Sequence, residues 1–211
     1  MEAVDGRRLG ILISGRGSNL QAIIDAIADG RLRAEIALVI SNIATAAGLE
    51  RAKTAGVAVA VMPHQDWSTR AAYDRALADT LLAHHVNLVC LAGYMRVLGP
   101  TFIDVFPQRI VNIHPSLLPA FPGLDAPRQA IQHGVRVSGA TVHLVDAALD
   151  AGPIVAQAAV PVLPDDTAAT LAARILVKEH RLYPDAIERV LKGGWRIDGR
   201  RMVEAAPSVA E

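Results

Sequence analysis

Short aliphatic runs alternate with longer Ala-rich amphipathic segments through the first half of the chain, and the two kinds differ in period. LGILIS (residues 9–14), EIALVIS (35–41), VAVAVM (57–62), NLVCLAG (87–93) and RIVNIH (109–114) are nearly unbroken apolar runs. Strands covered on both faces read this way. Between them, NLQAIIDAIADG sets Leu20, Ile23, Ile24 and Ile27 at helical spacing, with Gly30 as a stop. ATAAGLERAKTAG reads as a helix ending near Gly56, and STRAAYDRALADTLLAHH as one with Ser68 or Thr69 as N-cap. Strand, helix, strand at this rhythm predicts an α/β fold: a Rossmann-like, mostly parallel sheet wound with helices on both faces.

After Gly123 the pattern changes. A short helix over 126–133 precedes VSGATVHLV and GPIVAQAAVPV, which read as antiparallel strands flanking the turn-rich DAALDAG (146–152). An Ala/Leu/Ile pattern from Thr167 to about Lys192 predicts a long closing helix. GWRIDGRRMVEAA predicts a small terminal hairpin, with a frayed tail over about 205–211. No repeat or linker composition interrupts the chain, so a single domain over 1–211 is expected.

Composition narrows the function classes. Apolar residues make up 52% of the 211, enough for a packed core, and Lys plus Arg equal Asp plus Glu at 21 each. With aromatics at 4% and no basic block, nucleic-acid binding by charge or stacking is not expected. The lone cysteine, Cys90, excludes an internal disulfide, and no CxxC pair offers a zinc site. No run approaches the roughly 20 apolar residues of a membrane span, and the N-terminal run is too short for a signal peptide. A soluble, cytoplasmic protein without membrane partners is expected.

Three segments carry candidate chemistry. In ISGRGSNLQA, Gly15 and Gly17 lie between strand and helix. Such a loop suits an anion at free helix-start amides, with Ser18 and Asn19 as extra donors; a tight turn capped by Ser18 or Asn19 fits equally. In NIHPSLLPAFPG, Asn112 and His114 stand two apart at the carboxyl end of a strand, where open α/β sheets bind ligands. An amide beside an imidazole suits oxyanion stabilisation with proton handling; the alternative is a pair satisfying buried backbone. Pro115, Pro119 and Pro122 pre-shape the loop that follows. Third, Asp150 precedes Gly152 and Pro153 in a loop. A carboxylate reaching His114 would raise the imidazole's pKa, with Asp146 as the competing carboxylate and solvated turn residues as the alternative for both. Cys90 reads as core, His84 and His85 as a helix end, and no GxSxG elbow or metal-ligand set is present.

Together, LISGRGSNLQAII, SNIATAAGLERAKTAG, LAGYMRVL, NIHPSLLPAFPG, VHLVDAALDAGPIVAQ and VKEHRLYP resemble the glycinamide ribonucleotide formyltransferase family, over roughly Leu9 to Gly194. The resemblance implies formyl transfer from 10-formyltetrahydrofolate, a co-substrate, to the amine of glycinamide ribonucleotide, with no metal and no covalent intermediate. It implies Asn112, His114 and Asp150 as the catalytic trio. Gly17, Ser18, Asn19, Leu20 and Gln21 match the substrate loop, and Glu179 a carboxylate contacting the glycinamide part. Arg70, Met95, Arg96, Val97, Leu98 and the loop from Asp146 to Asp150, with Asn112, match the folate pocket. Arg96 also reads as a helix-start surface charge and Met95 as core. A monomer or homodimer is expected. Where family members carry histidine or threonine-histidine after FPGL, this chain reads DAPRQA (125–130).

The nearest rival, formyltetrahydrofolate deformylase, usually reads NIHHSFLP and adds an N-terminal regulatory domain. Methionyl-tRNA formyltransferase adds a basic C-terminal domain. A non-catalytic folate- or nucleotide-binding module would have lost one of Asn112, His114 and Asp150, and all three are present.

Overall fold

The computed structural model describes residues 6–205. In chain order its elements are β1 (Arg8–Ile13), α1 (Ser18–Ala28), β2 (Glu35–Ser41), α2 (Gly48–Thr54), β3 (Val59–Val61), α3 (Arg70–Ala83), β4 (Leu88–Leu91), α4 (Pro100–Ile103), β5 (Ile110–His114), α5 (Ala126–Gln132), β6 (Val137–Leu144), β7 (Ile154–Pro161), α6 (Ala168–Lys192), β8 (Trp195–Asp198) and β9 (Arg201–Glu204). All strands join one nine-stranded sheet in the order β3-β2-β1-β4-β5-β6-β7-β9-β8. The first five are mutually parallel; β6 turns antiparallel to β5, and β7 to β6.

Strand alternation divides the core. Leu9, Ile11, Val39, Cys90, Val111 and Ile113 pack with α1, α2 and α6, whereas Leu12, Ile40, Val89, Leu91 and Ile110 pack with α3 and α4. Asn112 and His114, in phase with Ile110, therefore belong to the α3 side of the sheet. The long helix α6 buries Leu171, Ile175, Ile187 and Val190, each contributing roughly 1.5–3 kcal/mol. Its start is fixed by a reciprocal Thr167–Thr170 capping box.

The mixed sheet, the antiparallel half and the closing hairpin match the pattern read from the sequence. The edges differ. α2 begins at Gly48, later than ATAAG suggests, and β3 shrinks to three residues on an edge. A 3₁₀ turn at His64–Asp66 and the single-turn α4 were not foreseen. Thr69, not Ser68, caps α3 by accepting from the Ala72 amide at 3.1 Å. Of the expected frayed tail, residues 206–211 lie outside the described residues. No helix among the described residues is long and apolar enough to cross a membrane.

Candidate active site

β5 ends at the carboxyl edge of the parallel strands with Asn112 and His114, and the β6–β7 connection brings Asp150 against His114. His114 is 5% exposed. Its Nδ1 lies 3.4 Å from Asp150 Oδ2, while Nε2 lies 2.8 Å from the Phe121 carbonyl. That carbonyl can only accept, so Nε2 carries the hydrogen and Nδ1 of the neutral ring faces the carboxylate bare. The left-handed backbone at Asp150 (φ 50°) aims the carboxylate inward, where Oδ2 also accepts the Gly123 amide at 2.8 Å. Asp146 instead accepts from the Ala148 amide in an exposed turn, so Asp150 is the carboxylate that meets the histidine.

As expected, the Asp150 charge raises the His114 pKa, but it is not the largest influence. Burial lowers the His114 pKa and outweighs the Phe121 carbonyl and the Asp150 charge, both of which raise it. The imidazole is thus shifted toward neutrality, rather than held protonated by its carboxylate. For Asp150, burial pushes upward, but the Gly123 amide and the two neighbouring imidazoles, His143 and His114, when they carry a proton towards it, hold its carboxyl below the usual range.

A fourth polar group, His143, escaped the sequence reading. It stands opposite Asn112 across the β5–β6 pairing and is 2% exposed. Its Nδ1 lies 3.0 Å from the Leu144 carbonyl and its Nε2 3.1 Å from Asn112 Nδ2 and 3.6 Å from Asp150 Oδ1. Nδ1 donates to the carbonyl, so the neutral ring's Nε2 accepts from Asn112. An irregularity in the β6–β7 register falls between Val142 and His143; such bulges re-aim side chains beside active sites. The signal was a lone polar residue inside the buried run TVHLV.

The glycine loop joins the carboxyl end of β1 to α1. Gly17 is the N-cap of α1 with φ 70°, and no side chain caps the helix, so neither Ser18 nor Asn19 closes its first turn. The amides there remain available to an anion. Gly17 is also required sterically, since a Cβ would come within 2.5 Å of Gly48 Cα. Asn19 turns inward and donates to Glu179 Oε2 at 2.8 Å, while its Oδ1 is buried without a partner. Burial raises the Glu179 pKa, and the Asn19 bond only partly offsets it. A cavity of about 640 Å³ links this loop and Glu179 to Met95, Ile113, Pro115 and Pro127. Pro127, part of the departure from the family pattern, therefore walls the cavity as well as starting α5.

Beyond β4, Met95 and Val97 are 67% and 56% exposed, and Leu124 and Leu149, from the loops flanking His114 and Asp150, are 79% and 57% exposed. Large apolar side chains left exposed in these loops suit a flat heteroaromatic ligand. Other candidates sit differently. Leu98 is 6% exposed, and Leu20 is fully buried in the core, leaving only its amide for a ligand. Gln21 turns into a separate cleft of about 330 Å³ with Asp25, Arg51 and His180. Arg70 donates to the Val97 carbonyl at 2.5 Å, and Arg96 stacks over Tyr73 at 5.5 Å. Cys90 is fully buried, its thiol pushed well up by burial, in keeping with a core role.

A family model described as formyl transferase matches residues 7–187. Phosphoribosylglycinamide formyltransferase of Escherichia coli (strain K12) is 44% identical over 190 residues, which cover 90% of this chain and 87% of the relative. The trifunctional purine biosynthetic protein adenosine-3 of Drosophila melanogaster is 48% identical over 189 residues, 89% of this chain, but the chain spans only 14% of that protein's length. Among solved structures, glycinamide ribonucleotide transformylase 1 from Symbiobacterium toebii superposes with a TM-score of 0.93 at 54% identity, covering 95% of each chain.

Proposed function

The chain belongs to the formyl transferase family, and from that premise we propose that it transfers the formyl group of 10-formyltetrahydrofolate to the primary amine of glycinamide ribonucleotide. The products are formylglycinamide ribonucleotide and tetrahydrofolate, a step of purine synthesis. The observation that carries this reading is the Asn112–His114–Asp150 cluster itself, with His114 Nδ1 3.4 Å from Asp150 Oδ2, in a fold that also offers an uncapped helix start and exposed apolar side chains at Met95, Val97, Leu124 and Leu149. A phosphate suits the helix start and a pteridine the apolar side chains.

The donor supplies an electrophilic formyl carbon; the substrate amine bonds to it, and the bond to the folate nitrogen breaks. Asn112, oriented by His143, directs its remaining amide hydrogen at the formyl oxygen as that oxygen gains charge. His114, neutral before reaction, takes up a proton at Nδ1 as the amine attacks. Asp150, 3.4 Å away, stabilises the imidazolium while it lasts. The same proton then serves the departing folate nitrogen, directly or through water, so the site ends as it began. Glu179 and Asn19 offer buried acceptors to the donor-rich glycinamide part.

The test follows folate absorbance with and without glycinamide ribonucleotide. Tetrahydrofolate release that depends on the amine is expected. Equal release without it would instead make the protein a deformylase, and no release in either case would make it a binding module.

A further inference from the structure

The segment from Tyr94 to Gly99, which presents Met95 and Val97 to the donor side, lies beyond the end of β4. Among the described residues, no backbone-to-backbone hydrogen bond reaches residues 94–98. Side chains do that work instead. The Met95 amide donates to Ser14 Oγ at 2.8 Å, and Ser14 in turn donates to Asn42 Oδ1 at 2.6 Å. The other anchors come from one face of the first turns of α3, at positions i, i+3 and i+4. Arg70 holds the Val97 carbonyl, the Tyr73 and Tyr94 hydroxyls meet at 2.7 Å, and Asp74 Oδ2 accepts the Gly99 amide at 2.9 Å.

Asp74 is unusual among these. It is 2% exposed, yet none of its contacts reaches the cavity beside the glycine loop. Its Oδ2 also lies 3.8 Å from Arg70 Nε, so one carboxylate fixes the far end of the segment and the arginine gripping its middle. The fit is close: a Cβ on Gly99 would stand 2.6 Å from that same oxygen. Burying a carboxylate is costly unless it is paired and hydrogen-bonded, and burial raises the Asp74 pKa against the opposing Gly99 amide and Arg70. What the carboxylate organises here is the backbone behind the apolar wall of Met95 and Val97.

We propose that Asp74 and Tyr73 are positioning residues for the formyl donor, acting through the backbone of residues 94–99; this rests on the folate reading of that wall. The clamp pre-sets the wall's shape, so its loss weakens donor binding without disturbing the amine substrate.

Steady-state kinetics with each substrate varied, and calorimetric titration with tetrahydrofolate, test the assignment. Asp74→Ala should raise the KM for 10-formyltetrahydrofolate and the tetrahydrofolate Kd about tenfold, with the KM for glycinamide ribonucleotide within about twofold of wild type. Asp74→Asn, which keeps an acceptor for the Gly99 amide, should restore most of the loss. Tyr94→Phe should raise the donor KM about threefold. Leu77→Ala, a cavity in the same helix, controls for general destabilisation and should leave donor KM unchanged. Unchanged tetrahydrofolate affinity in Asp74→Ala, an equal rise in both KM values, or the same rise in Leu77→Ala would overturn the proposal. Should Asp74→Ala not fold, unchanged affinity in Tyr94→Phe overturns it. If wild type lacks transfer activity, the functional reading fails, while the tetrahydrofolate titrations still decide the clamp.

Discussion

Asn112 and His143 face each other across the antiparallel β5–β6 pairing, with Asn112 Nδ2 3.1 Å from His143 Nε2. Because His143 spends its other nitrogen on the Leu144 carbonyl, it can only accept from the asparagine when neutral. The histidine thereby decides which way the Asn112 amide is turned, and a hydrogen of that amide stays free for a ligand.

The consequence is a prediction for His143→Ala. The fold should persist, but kcat should fall by about ten- to a hundredfold, less than the hundred- to thousandfold typical of deleting an oxyanion donor itself. Asn112→Ala should show the larger loss. Stopped or steady-state turnover measures both, and a His143→Ala enzyme with wild-type kcat would remove the orienting role.

Burial lowers the His114 pKa from 6.5, and Asp150 opposes that shift. Protonation of the free enzyme should therefore cut kcat/KM on an acid limb centred below pH 6.5. In Asp150→Asn the residual activity should show that limb at still lower pH, because an upward influence is gone. Stability follows the same sign. A folded-state pKa below the unfolded value contributes stability above pH 6.5 that is lost as pH falls through the folded pKa. His114→Asn should flatten this part of the denaturation profile, read as urea midpoints against pH. An acid limb above 6.5 would contradict the burial argument.

Gly152 sits where the loop carrying Asp150 crosses β6. A Cβ there would stand 1.9 Å from the Leu144 carbonyl oxygen, a backbone atom that cannot swing aside. Gly152→Ala must displace the loop and take Asp150 away from His114 and His143. Turnover should drop at least about a hundredfold, in line with a roughly 1 Å misplacement of a catalytic group. Wild-type turnover in that variant would show that the loop position is not critical.

These residues also show what was legible in the chain. Unbroken aliphatic runs revealed β1, β2, β4 and β5, because a parallel sheet covered on both faces leaves no polar alternation. Asn112, His114 and Asp150 stood out as polar groups at a strand end and in a turn-rich loop. His143 did not, since its role depends on which strand lies opposite β5, and local pattern does not encode non-local pairing. The same holds for Asp74: on α3 it reads as an ordinary helical charge, yet it is buried and bonded by the Gly99 amide where the chain returns to that helix. The glycine loop held a different surprise. Gly17 answers to the close approach of Gly48 in α2 as much as to any ligand, a contact 31 residues away in sequence that spacing alone could not supply.

Glu179 poses a trade between stability and function. Its pKa is raised from 4.5 chiefly by burial, with Asn19 as its hydrogen-bond donor. A carboxyl with a raised folded-state pKa contributes its full stability only at pH below the unfolded value, and loses it as pH rises through the folded value. At neutral pH the charge is thus a burden on the fold. Glu179→Gln keeps an oxygen for Asn19 and removes the charge, so it should raise stability by about 1 kcal/mol at pH 7. The gain should shrink toward pH 4, where the wild-type carboxyl is protonated as well. The same change should raise the KM for glycinamide ribonucleotide about tenfold, because the proposed function makes Glu179 an ionic acceptor for that substrate, while donor KM stays put. Thermal melts at both pH values and a two-substrate kinetic analysis measure the pair of effects. A variant that is less stable at pH 7 would mean that the carboxylate is better paired than its single bond to Asn19 implies.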